Sequence, residues 1–177
     1  MDKRDNVLSL KSMSFYIGGF MNIQKLEQVL PAAPLKIAAL KSCESMGQKV
    51  NDYIVSFRKE SLNKYVDSAL FASYKCENYL IEHSCPRFGS GEAKGSLGES
   101  VRGKDLFVMV DVCNYSLTYT VNGHLNHMSP DDHYQDLKRI ISAANGKAHR
   151  VNVIMPFLYE AGSISVPSVS LWTALRR

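Results

Sequence analysis

The stretch that decides the fold is residues 105–112, Asp-Leu-Phe-Val-Met-Val-Asp-Val. Short apolar runs of this length are typical of strands buried on both faces of a sheet. Two further runs have the same character: residues 35–40, Leu-Lys-Ile-Ala-Ala-Leu, and residues 151–156, Val-Asn-Val-Ile-Met-Pro. Residues 79–81, Tyr-Leu-Ile, resemble a strand that enters a loop at Cys85.

Helices are predicted between these strands. Apolar residues at positions 50, 53, 54 and 57 follow helical spacing, so we expect a helix that Ser42 caps and that ends near Arg58. Residues 129–132, Ser-Pro-Asp-Asp, form a helix start, with a capping serine, proline at the first position and acids at the positive end of the dipole. Asn145 and Gly146 end that helix. Alternating strands and helices predict an α/β fold, a parallel sheet flanked by helices on both faces, with ligands bound beyond the carboxyl ends of the strands.

Composition excludes several classes of protein. The 177 residues are 45% hydrophobic and 21% charged, which is typical of a globular domain and not of a disordered or collagen-like chain. The net charge is +4, but the basic residues are scattered, so a nucleic-acid binder has little support. No apolar run approaches the roughly 20 residues of a membrane-spanning helix. Four cysteines without Cys-x-x-Cys spacing predict reduced thiols in a cytoplasmic protein.

The chain divides into three segments by composition. Residues 1–33 read as a leader, with a short helix possible over residues 24–30 and with either Met1 or Met21 as the true start. Residues 34–160 form the predicted domain, in which residues 59–75 read as an insertion. Residues 161–177 form a tail.

Three groups of residues suggest chemistry, and each has a plainer alternative. Residues 89–95, Gly-Ser-Gly-Glu-Ala-Lys-Gly, could bind a phosphate through their backbone amides. Their glycine spacing matches neither the Walker pattern nor the dinucleotide-binding fingerprint, so an ordinary turn is favoured. Residues 99–104, Glu-Ser-Val-Arg-Gly-Lys, could bind phosphate through the guanidinium or form a solvated loop. His124, His127 and His133, with the acids at 131 and 132, suggest an incomplete metal site, although the acids already serve the helix start. Cys113 follows a strand, where a nucleophile or an inert thiol would fit.

Four segments together resemble the N-terminal half of ribose-phosphate pyrophosphokinase. They read Arg-Phe-Gly-Ser-Gly-Glu at 87–92, Gly-Glu-Ser-Val-Arg-Gly-Lys-Asp at 98–105, Asp-Leu-Lys-Arg-Ile at 136–140 and Ile-Met-Pro-Phe-Leu-Tyr at 154–159. Residues 113–117 and 126–132 are similar to a longer bacterial branch of the family. The resemblance covers about residues 35–160.

The resemblance implies a phosphoribosyltransferase-like fold and an activity. Family members carry two such domains in tandem and transfer pyrophosphate from Mg-ATP to the anomeric hydroxyl of ribose 5-phosphate. The implied cofactors are therefore Mg²⁺ and ATP, and the implied partners are ribose 5-phosphate and further copies of the chain, since the enzymes assemble as oligomers.

Site residues follow from the same resemblance. Phe88 matches the aromatic residue that contacts adenine, and Glu92 matches the acid of the same loop. Ser90 occupies a position where many members have Asp or Asn. Ser100 and Arg102 match the positions that bind a regulatory phosphate in related enzymes.

The tail departs from the family after Glu160, where members continue with an arginine-rich segment that grips ATP. If the codons of the tail are read in a frame shifted by one nucleotide, suitable synonymous codons encode Ser-Arg-Gln-His after Glu160. In the same frame, the codons of Trp172 and Thr173 always encode an Asp. Both agree with the continuation expected in the bacterial branch. We therefore expect a frameshifted tail, an incomplete domain without catalytic residues or metal ligands, and no synthase activity. The alternative is a non-catalytic nucleotide- and phosphate-binding module that associates with a full-length homologue.

Overall fold

The computed structural model of the protein describes residues 32–62 and 73–161. The predictions for the leader and the tail therefore fall outside the described residues, except at positions 32, 33 and 161, and so do most of the expected insertion and the short helix over 24–30. Within the described ranges no helix is both long enough and apolar enough to cross a membrane.

Three parallel strands form the central sheet. Strand β1 (Leu35–Ala39) pairs with β4 (Asp105–Met109), which pairs on its other side with β7 (Arg150–Ile154). The register aligns Leu35 with Asp105 and Asp105 with Arg150. The three predicted strands are thus confirmed, but only β1 and β4 contain buried residues, whereas β7 lies at the edge of the sheet and is partly exposed along its length, in contrast to the predicted burial of residues 151–156. The expected strand at 79–81 is reduced to a single parallel bridge between Leu80 and Ile37, beside the free edge of β1.

Two longer helices cover opposite faces of this sheet. Helix α1 (Glu44–Leu62) packs on the face that presents Ile37, Ala39 and Met109, whereas α2 (Pro130–Ala144) packs on the face of Leu106 and Val108. Successive strand residues point to opposite faces, so an uninterrupted apolar strand serves both layers. The predicted α/β architecture, with a parallel sheet flanked by helices, is confirmed.

The start of α1 differs from the prediction. A 3-10 turn at Lys41–Cys43 precedes the helix, and Ser42 does not cap it. Instead the Ser42 hydroxyl accepts a hydrogen bond from the amide of Asp111 at 3.0 Å, which ties the end of β1 to the end of β4. The helix also continues to Leu62, past the expected end near Arg58.

Two small antiparallel pairs complete the described chain. Strands β2 (His83–Ser84) and β3 (Ser96–Leu97) form one, and β5 (Thr118–Val121) and β6 (His124–His127) form the other. The hairpin β5–β6 is absent from the sequence prediction, in which His124 and His127 were considered only as members of an incomplete metal site. Its signal is Asn122-Gly123, the dipeptide favoured in two-residue hairpin turns, and both residues have positive φ, 51° and 80°.

Candidate nucleotide and phosphate sites

The first candidate site lies at the tip of the β2–β3 hairpin. The chain passes Leu80 beside Ile37 and runs parallel to β1, so the hairpin carries its tip beyond the carboxyl edge of the sheet. Its two arms pair at His83 with Leu97 and at Ser84 with Ser96, and a bridge joins Arg87 to Ala93. Residues 88–92, here called the tip loop, close this hairpin. The location agrees with the expectation that ligands bind at the carboxyl ends of parallel strands.

Internal hydrogen bonds shape the tip loop. The Gly91 amide donates to the carbonyl of Phe88 at 2.9 Å, and the Phe88 amide donates to the carbonyl of Glu92 at 2.7 Å. Two of the loop amides are thus used within the turn and are not directed at an anion. This arrangement favours the ordinary-turn interpretation of the glycine-rich segment over a phosphate cradle.

The tip loop brings together the three residues predicted to contact adenosine. The side chain of Phe88 is 50% exposed, so its ring is accessible from solvent. The Ser90 hydroxyl donates to a carboxylate oxygen of Glu92 at 3.4 Å, and both side chains are exposed. An aromatic ring, a hydroxyl and a carboxylate are therefore all accessible to solvent on the same short loop.

A buried ion pair anchors the loop on one side. The Arg87 guanidinium donates two hydrogen bonds to the Asp136 carboxylate of α2, at 2.9 and 3.1 Å. Arg139 donates to the same carboxylate at 2.7 Å. The side chain of Arg87 is only 6% exposed, so the pair is enclosed. Arg87 and Asp136 both lie within the family-like segments, but no local pattern in the sequence links positions so far apart, so their pairing could not be predicted.

The second candidate site lies on the loop that leads into β4. The Ser100 hydroxyl accepts a hydrogen bond from the Arg102 amide at 3.4 Å, and both side chains are exposed. Val101 between them is 5% exposed and packs in the core, while the Gly103 amide donates to the carbonyl of Lys147. These contacts hold Ser100 and Arg102 side by side at the amino end of β4. The structure thus places the two predicted sets of residues at opposite ends of the sheet.

A comparison with known families bears on these loops. A sequence profile described as the N-terminal domain of ribose phosphate pyrophosphokinase matches residues 35–165, more than half of the chain. The chain belongs to this family. The match begins at the first residue of β1, includes both candidate sites and continues a few positions beyond Glu160. A comparison with curated proteins finds no match.

Within this pyrophosphokinase domain, the histidines do not form the suggested metal site. His133 is 2% exposed, and its Nε2 lies 2.8 Å from the carbonyl oxygen of Asn114. His124 and His127 are exposed on β6, and the Asp132 carboxylate is occupied at the helix start. No three His, Cys, Asp or Glu side chains converge as a metal site within residues 32–62 and 73–161.

The cysteines of the pyrophosphokinase domain are all free thiols and all lie within the described residues. Cys85 lines a cavity of about 260 Å³ between the end of β1 and the two hairpins. Burial and the nearby Asp136 carboxylate raise the pKa of Cys85 to about 11, so its thiol stays protonated near neutral pH. Burial likewise raises the pKa of Cys43 to about 11. Cys113 is exposed in a turn after β4, and its amide donates to Asp111.

Proposed function

We propose that this chain supplies the nucleotide-binding part of a ribose-phosphate pyrophosphokinase, which transfers pyrophosphate from Mg-ATP to ribose 5-phosphate. The observation that carries the proposal is the family match over residues 35–165, which includes the tip loop and the Ser100–Arg102 loop. The exposed aromatic ring on a hydrogen-bonded loop supports it, because such a ring offers a ready stacking surface for a nucleobase.

The tip loop has the chemistry that adenosine requires. The Phe88 ring would stack on the purine, the Glu92 carboxylate would accept a hydrogen bond from the exocyclic amine, and the Ser90 hydroxyl could donate or accept. The carboxylate is better suited to the base than to the triphosphate, since two anions repel.

The Ser100–Arg102 loop is proposed to bind a phosphate group that regulates the enzyme. A guanidinium binds phosphate oxygens through paired hydrogen bonds, and a neighbouring hydroxyl adds a donor. Glu99 is the acid nearest to this pair along the chain, and it forms a salt bridge with Lys36 at 2.6 Å. The lysine therefore offsets the negative charge of Glu99 close to Arg102 in the chain.

Magnesium is proposed to arrive with the ATP phosphates, whose charge it would neutralise. Three of the described carboxylates are engaged elsewhere: Asp132 at the helix start, Asp136 with two arginines, and Asp105 with Arg150 at 2.9 Å. Neither candidate loop offers a cluster of oxygen ligands, so we assign no metal ligand to them.

The 177 residues by themselves are proposed to bind nucleotide without completing the reaction. Family resemblance assigns them binding residues, Phe88, Ser90, Glu92, Ser100 and Arg102, but no catalytic residue. The working enzyme is proposed to be a cytoplasmic homo-oligomer.

Isothermal titration calorimetry of the purified chain tests the proposal. We expect Mg-ATP to bind, and Phe88→Ala to weaken binding about 5- to 100-fold, the range of a lost base-stacking contact. Phe157→Ala is the matched control, because its ring is similarly exposed, at 56%, but lies outside the tip loop. Inorganic phosphate should bind to the wild type and less well to Arg102→Ala. The adenosine assignment is wrong if Phe88→Ala binds Mg-ATP as the wild type does. Formation of phosphoribosyl pyrophosphate by the purified chain would overturn the proposal that these 177 residues do not complete the reaction.

A further inference from the structure

The hairpin β5–β6 contacts the tip loop directly. Asn122, the first residue of its two-residue turn, donates through Nδ2 to the carbonyl oxygen of Gly89 at 2.9 Å. Asn122 has φ of 51°, a conformation that asparagine tolerates better than most residues. Asn122 thus serves both as a turn residue with positive φ and as the donor of the hydrogen bond to the tip loop.

The same hairpin also contacts Arg87, the residue that precedes Phe88 in the chain. The ring of Tyr119, on β5, lies against the guanidinium of Arg87, with 4.8 Å between the guanidinium carbon and the ring centroid. Arg87 is in turn fixed by Asp136. The two residues that flank Phe88 in the chain are therefore each held by the hairpin, Arg87 by an aromatic face and Gly89 by an amide.

We infer that the hairpin β5–β6 positions the adenine-contacting loop, and that Asn122 is its positioning residue. The consequence for ATP binding rests on the proposed function, whereas the contact between the hairpin and the tip loop is independent of it. Fixing the backbone on both sides of Phe88 limits the directions its exposed ring can take before a nucleotide arrives. A binding surface ordered in advance loses less conformational entropy when the ligand binds.

Two substitutions separate the hydrogen bond from the turn. Asn122→Gly removes the side chain and keeps a residue suited to positive φ, whereas Asn122→Asp keeps size and turn preference but replaces the donor by a carboxylate facing a carbonyl. Asn126→Asp is the matched control, because it makes the same change of charge in the same hairpin, where the Asn126 side-chain amide donates to the carbonyl oxygen of His124, within the hairpin itself.

Hydrogen exchange, followed by mass spectrometry without nucleotide, tests the contact. We expect peptides that include residues 86–94 to exchange about 2- to 10-fold faster in both Asn122 variants, the effect of losing one hydrogen bond. Peptides from β4 should exchange at the wild-type rate, as should the whole Asn126→Asp chain. Unchanged exchange over residues 86–94 in both Asn122 variants would overturn the inference.

Mg-ATP affinity then tests the consequence. We expect Asn122→Gly to weaken binding about 2- to 10-fold in the wild-type background. In the Phe88→Ala background it should have no further effect, because the hairpin acts through that ring. Full additivity of the two substitutions would contradict the inference. If the wild-type chain does not bind Mg-ATP at all, the proposed function fails, and the exchange result still decides whether the hairpin holds the loop.

Discussion

Arg87 shows how one side chain connects three elements. It leaves the β2–β3 hairpin, pairs with Asp136 on α2 and lies against the Tyr119 ring of β5. Removing a buried charge from water is costly, so such a pair stabilises the fold only while its geometry is complete. Here both hydrogen bonds from Arg87 to Asp136 lie within the normal range, at 2.9 and 3.1 Å, and Arg139 adds a third, which meets that condition.

Arg87→Ala is expected to lower the free energy of unfolding by about 3 kcal/mol, because it leaves the Asp136 carboxylate with one buried partner fewer. The value lies at the lower end of the range for broken buried pairs, since Arg139 remains. Urea denaturation followed by circular dichroism measures it. Arg102→Ala makes the same change at an exposed position and should stay within about 0.5 kcal/mol of the wild type. Equal stability of the two variants would contradict the role given to Arg87.

At the scale of elements, the start of α2 is determined locally. The Ser129 hydroxyl accepts from the Asp132 amide at 3.2 Å, while the Asp132 carboxylate accepts from the Ser129 amide at 2.9 Å. Pro130 follows at the first helical position, and Asn145 ends the helix with φ of 49°. Each of these interactions joins residues close in sequence, so the sequence alone predicted both ends of this helix.

Ser129→Ala should therefore destabilise the protein by about 1 kcal/mol, the usual effect of losing a capping side chain. Thermal unfolding monitored at 222 nm would show a lower midpoint. Ser142→Ala, on the exposed face of the same helix, should change the stability by less than about 0.5 kcal/mol. A Ser129→Ala midpoint equal to that of Ser142→Ala would show that the cap contributes nothing.

Elements that depend on distant partners were predicted less well. Ser42 has the right side chain for a helix cap, but it accepts the Asp111 amide instead, because the two strand ends lie next to each other in the sheet. The β5–β6 hairpin has only a weak local signal: residues 118–121, Thr-Tyr-Thr-Val, alternate polar and apolar side chains over just four positions, and residues 124–127, His-Leu-Asn-His, are mostly polar. Its clearest sequence mark is the turn dipeptide Asn122-Gly123. Family resemblance supplied Phe88 and Glu92, whereas the supports of their loop, Arg87 and Asn122, depend on tertiary contacts that local patterns do not encode.

At the scale of the whole domain, α1 packs very closely against the sheet. Gly47 on α1 faces β1 so closely that an added Cβ would lie 2.2 Å from the Cβ of Ala39. This separation is shorter than any ordinary contact, so the absence of a side chain at Gly47 lets α1 settle directly on the strand.

Gly47→Ala is expected to destabilise the domain by about 1–3 kcal/mol, the usual effect of overpacking, although alanine is the better helix former. Chemical denaturation measures the change. Ser56→Ala, at an exposed position of α1, is the control and should be near neutral. Adding Ala39→Gly removes the opposing methyl group, so the double variant should be more stable than the sum of the two single effects predicts. Simple additivity would contradict the close approach.

The register of the sheet also governs the order in which the chain can fold. Leu35 pairs with Asp105, and Asp105 pairs with Arg150, so β1 and β4 each need a partner strand that is synthesised much later. The β5–β6 hairpin and α2 need only neighbouring residues and can form within microseconds. Closing the long loops between parallel strands is the slow step. During that interval β1 is a nascent apolar strand without its partner, and this is when the polypeptide is most exposed to aggregation and to chaperones.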